Sequence, residues 1–106
     1  MSGPGDLGNL LKQAQKMQRE MDLAREEISK ATLEGSAGRG VARVEVDGDG
    51  TVQAIHLSED AFSEGDKAAV EDLILAAIRD AQTKAAELKR ERLSKVTGGM
   101  DMPGLF

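Results

Sequence analysis

The sequence predicts an α/β protein of the α+β kind, in which a small antiparallel sheet is framed by two long helices in the order α-β-β-β-α. Three observations carry that prediction. An apolar heptad runs through the first third of the chain, residues alternate between apolar and polar in the middle, and a second stripe of helical period fills the last third. With 106 residues there is room for one domain, spanning 1–106, with residues 1–6 as a flexible lead-in and 98–106 as a loose tail.

The first helix is read over 7–31. Leu10, Ala14, Met17, Met21, Ala24, Ile28 and Ala31 recur with alternating spacings of four and three. That unbroken a/d pattern suits a helix packed along its length on another helix. Leu10, Ala14, Met17, Met21 and Ile28 form the expected seam, which serves the core or a dimer. Lys12, Lys16 and Arg19 lie off it, while Glu20, Asp22, Glu26 and Glu27 occupy the second half.

The period then changes to two. Ala42, Val44 and Val46 fall on one face of a strand, with Arg43 and Glu45 on the other. Asp47-Gly-Asp-Gly50 reads as a tight hairpin turn, because Asp-Gly pairs tolerate positive φ. A second strand follows over 51–57, with Ile55 and Leu57 on the core face and His56 opposite. Thr32 to Gly35 supplies a short strand before them, joined through a loop over 36–40.

Ser63-Glu64-Gly65-Asp66 has the spacing of a capping box and introduces the second helix, read over 66–96 and stopped at Gly98-Gly99. Val70, Ile74, Ala77, Ala81, Leu88 and Val96 mark its stripe, widened by Leu73, Ile78 and Ala85. At 1.5 Å per residue the two helices would be roughly 37 and 45 Å long. A compact chain of this length has a radius of gyration near 13 Å, so the helix ends must project or a second subunit must cover them. A homodimer sharing the sheet region is therefore expected.

Composition excludes several functions. The chain has no cysteine, which removes disulfides, thiol nucleophiles and zinc-thiolate sites. His56 is the one histidine, and no nucleophile–base set assembles around it, so catalysis is not expected. No cofactor or metal site is indicated. Counting from Asp47 as a calcium loop, the sixth and twelfth positions hold Val52 and Ser58 where Gly and Glu are needed. Gly35, Gly38 and Gly40 lack the Gly-Lys-Ser/Thr of a phosphate loop, although Arg39 between them has the right charge for a phosphate. No apolar run approaches the ~18 residues of a membrane span, and the first ten residues lack the regions of a signal peptide. A cytoplasmic protein without membrane partners is the expectation.

The net charge of −5 is unevenly spread. Residues 1–32 balance at zero, 33–66 carry −6, and 67–97 carry +2. If the helices pair antiparallel, Lys12, Lys16 and Arg19 of the first meet Lys84, Lys89, Arg90 and Lys95 of the second at one projecting end. The bland alternative is a solvated charged face with i,i+4 pairs.

Leu7-Gly-Asn-Leu-Leu-Lys-Gln-Ala-Gln-Lys-Met-Gln18 resembles the opening of the YbaB/EbfC family of nucleoid-associated proteins. The resemblance continues through Gly40-Val-Ala-Arg-Val-Glu-Val-Asp-Gly48, Glu71-Asp-Leu-Ile-Leu-Ala-Ala-Ile-Arg-Asp-Ala81 and the Gly99-Met100 to Pro-Gly tail. It implies a tweezers-like homodimer with protruding helix pairs that binds double-stranded DNA, alters its conformation, and serves nucleoid organisation, gene regulation and DNA protection. The seven basic residues named above would then neutralise phosphates, with little base readout. With only Phe62 and Phe106 as aromatics, a stacking platform for single strands is not expected. The alternative is a dimeric helical adaptor whose apolar seams dock a replication or recombination protein.

Overall fold

In a computed structural model, residues 4–63 and 66–98 are described. The order is α1 (Pro4–Lys30), β1 (Thr32–Ala37), β2 (Ala42–Asp47), β3 (Val52–Leu57), a 3-10 turn over Glu59–Phe62, and α2 (Lys67–Val96). The three strands form one antiparallel sheet in sequence order, as a meander must.

The helix boundaries differ from the sequence reading in instructive ways. Helix α1 begins at Pro4, inside the expected lead-in, because proline's fixed φ suits a first helical turn and its missing N–H costs nothing there. Residues 1–3 of that lead-in lie outside the described residues. The cap of α2 is Asp66, whose carboxylate accepts the Ala69 amide at 3.1 Å. Ser63 does not cap it; its hydroxyl donates to the Asp60 carbonyl and closes the 3-10 turn, an element without a periodic signal. Glu64 and Gly65 lie outside the described residues. Gly98, at φ +71, terminates α2, while Gly99 and the rest of the tail are again outside.

Strand β1 runs on to Ala37, two residues beyond the short strand expected, and pairs Ser36 with Arg43 and Ala37 with Ala42. The Asp80 carboxylate accepts the Ser36 amide at 3.0 Å, which anchors this extension to α2. The β2–β3 turn forms as its Asp-Gly pairs demand. Asp47 accepts the amides of Asp49 and Thr51 at 2.9 and 3.0 Å, which occupies the carboxylate that a calcium loop would need.

Ala42, Val44 and Val46 are fully buried under Ala77, Ala81 and Ala85 of α2. Small residues at four-residue spacing let the helix backbone approach the sheet. At Gly35 a Cβ would meet the Ala77 carbonyl and the Ala81 amide, so glycine there is a requirement of packing. A second cluster joins Met21, Ala24 and Ile28 of α1 to Leu93 and Val96 of α2. Leu93 is 1% exposed yet stands off the stripe read from sequence. The buried face of α2 rotates because its neighbour changes from the sheet to α1 partway along.

The two helices overlap only through these facing ends, so their lengths nearly add. The long axis reaches 74 Å and the radius of gyration 20.3 Å, against about 13 Å for a compact chain of this length. The sheet and the first two-thirds of α2 form a head, and the first half of α1 extends from it as an arm.

Candidate nucleic-acid interface

The arm is where basic and apolar character separate most cleanly. Between residues 7 and 19 there are three cations, Lys12, Lys16 and Arg19, and no carboxylate. At 100° per residue they cluster on the side of the helix opposite Leu10, Ala14 and Met17. All three are exposed. Lys16 makes only a 4.0 Å contact with Glu20, while Lys12 and Arg19 have no ion pair among the described residues.

The α2 cations are distributed along the axis rather than gathered at one end. Lys84 belongs to the head, where it donates to the Glu34 carbonyl at 3.0 Å and pairs with Asp80 at 3.3 Å. Lys89 pairs with Asp49 of the hairpin at 3.2 Å. Lys95 pairs with Glu91 at 3.7 Å and borders a groove with Leu23 and Glu20, which sets it level with the middle of α1. Arg90 is exposed and has no ion pair among the described residues. Arg92, beside it, holds the helices together through Glu27 at 3.1 Å.

Antiparallel pairing therefore does bring α2's cations toward α1, but the short overlap spreads the set out. Helical rise from Lys84 to Lys95, and on from Leu23 to Lys12, places the extremes roughly 33 Å apart. Of the seven residues, Lys12, Arg19 and Arg90 stand ready for an external anion. Lys84 and Lys89 already have internal partners that an anion would have to displace. Sequence spacing does not reveal those partners, because Glu34 and Asp49 lie 50 and 40 residues away.

The Asp80 carboxyl is held below the ordinary carboxylate range, first by the Ser36 amide and then by Lys84. This is a structural bracket rather than a reactive group. His56 faces Glu45 at 3.5 Å on the outer sheet face, on an exposed surface. Among the described residues, no group of three His, Cys, Asp or Glu is placed to hold a metal, and no helix is long and apolar enough to cross a membrane.

Residues 3–100 match the profile described as the YbaB/EbfC DNA-binding family. The fold is similar to that of the uncharacterized protein HP0035 from Helicobacter pylori, with a TM-score of 0.69 and 21% sequence identity. That likeness covers 93% of this chain and all of the other.

Proposed function

Because the chain belongs to the YbaB/EbfC DNA-binding family, a family of binding proteins and not of enzymes, we propose that it grips duplex DNA through phosphate contacts made by its arm and the outer part of α2. The observation that carries this reading is the run of exposed cations without a carboxylate over residues 7–19. Lys12, Lys16, Arg19, Arg90 and Lys95 supply the main contacts, and Lys84 and Lys89 join when phosphate replaces their present partners. A span of roughly 33 Å matches about one turn of B-DNA, so the two ends of the row can meet the same strand on successive turns. The eight acids of residues 33–66 keep DNA off the sheet. Nothing in this set reads base edges, so binding is nearly independent of sequence. Coating and stiffening or bending of DNA in the nucleoid, with effects on gene expression and DNA protection, is the role this supports.

The working unit in this proposal is a homodimer closed over β3. Val52 and Ile55 lie on the same sheet face as the buried Val44 and Val46, yet they are 38% and 47% exposed because α2 covers only β1 and β2. A second copy laid on that face would bury them and aim two arms outward. Met21 and Ile28 of the heptad are core within one chain and are not available to a second copy.

Titration of duplex DNA at several salt concentrations tests the reading. With the five main contacts of each chain, ten phosphates per dimer, affinity falls by roughly 10⁵ between 50 and 200 mM salt. Binding that ignores salt would refute it and would favour the protein-adaptor alternative, with a replication or recombination partner.

A further inference from the structure

The arm and the far end of the head carry opposite charge. Residues 7–19 hold three bases and no acid, whereas residues 59–72 hold six acids and one base. Glu59, Asp60, Glu71 and Asp72 are exposed and have no ion pair among the described residues. That acidic end has no part in holding DNA, because it repels phosphate.

The same end carries an apolar groove. Ala61 and Phe62 of the 3-10 turn and Val70 of α2 line a hollow of about 270 Å³, with Asp66, Lys67 and Glu71 around them. Phe62, the one aromatic among the described residues, is 63% exposed there. An uncovered ring beside a groove bordered by carboxylates suits an apolar side chain flanked by cations.

The arm supplies that combination. Leu11 is 57% exposed. At 100° per residue it stands between the apolar seam and the cations, with Lys12 and Arg19 on its flank. Helical rise from Val70 to Lys95, and on from Leu23 to Leu11, separates groove and Leu11 by roughly 55 Å within one chain. The two can meet only between copies.

We infer that the arm of a second copy docks on the acidic end of the head, with Leu11 in the Phe62 groove and Lys12 and Arg19 against Glu71 and its neighbouring carboxylates. The contact joins unlike surfaces, so it can repeat head to tail from copy to copy. A few helical turns on one groove bury less than the roughly 1,200 Å² of a stable complex, so the contact is weak and reversible. Lys12 and Arg19 cannot hold carboxylate and phosphate at once, so a docked arm is withheld from DNA. The docking itself needs no DNA, and its test contains none.

The absence of cysteine makes disulfide trapping clean. Gly8 and Gln15 lie one turn to either side of Leu11 on its cationic flank, and Lys67 borders the groove. G8C or Q15C protein is mixed with an equal amount of K67C protein at low salt, where exposed charges are least screened. The mixture is oxidised with glutathione, and intact-mass spectrometry separates mixed from like disulfides. In at least one pair, mixed disulfides should stand well above the half that random pairing gives. They should return to half when the arm protein also carries K12E or the head protein also carries F62S. Mixed disulfides at or below half in both pairs would overturn the docking, whether arm–arm or head–head products take their place. A preference that either second substitution leaves intact would overturn it as well.

Discussion

The two halves of α1 share one heptad and meet opposite fates. In the second half Met21, Ala24 and Ile28 are buried against Leu93 and Val96, and the Gly48 turn rests on the Ile28 carbonyl. In the first half Leu7, Leu10 and Met17 have the same spacing and stand largely in solvent. Periodicity therefore states which side of a helix is apolar, and the length of the neighbour decides how much of that side is covered. Charge follows the same division. The covered half carries the carboxylates Glu26 and Glu27, and the bare half carries only cations between residues 7 and 19.

Substitutions at equivalent places should separate the halves. The largest effect is expected at Ile28→Ala, which opens a cavity at a 1% exposed position and should cost about 2–5 kcal/mol in denaturant titration. Leu10→Ala, on the same seam but in the arm, should cost less than about 1 kcal/mol.

Glycine-to-alanine changes should differ in sign. At Gly48 an added Cβ meets the Ile28 backbone carbonyl, and overpacking there should destabilise by about 1–3 kcal/mol. At Gly8, in the arm, nothing lies within 4 Å, so alanine should stabilise the helix by about 0.5–1 kcal/mol. Thermal melts of the two variants read both effects. Equal signs would mean that the arm is packed like the rest of the helix.

A smaller effect should appear in acid. The Ser36 amide and then Lys84 hold the Asp80 carboxyl below its ordinary range. A depressed carboxylate stabilises the fold fully above its unfolded pKa, near 4, and that contribution disappears as pH falls through the lower folded value. Asp80→Asn should therefore lower stability at neutral pH and flatten its loss below pH 4. The arm has no such bracket, and Lys16→Gln should leave the acid limb unchanged.

Much of the architecture was legible because each element has a local cause. The Asp47 turn, the Val44 and Val46 alternation and the heptad all depend on neighbours within a few residues. The misses are long-range. Leu93 is buried because α2 changes partner, and β1 reaches Ala37 because Asp80, 44 residues away, takes the Ser36 amide. Ile55 lies on the face its alternation predicts, but only the tertiary fold shows that α2 falls short of it. The charges of the candidate interface were legible, whereas their internal partners were not. Lys84 and Arg90 look alike in sequence, and one is hydrogen-bonded to a strand while the other is free of any ion pair among the described residues.

The most direct test compares two charge reversals for duplex binding across salt. K12E/R19E removes two exposed arm cations from each chain, and K84E/K89E removes two that already have partners in the head. The arm variant should lower the salt slope by about 3 to 4 per dimer and weaken binding similarly on unrelated sequences, with helicity and mass unchanged. The head variant should lose distinctly less. If K12E/R19E bound DNA with the wild-type slope while K84E/K89E abolished binding, the arm would not be the gripping element, and the phosphate site would belong to the head.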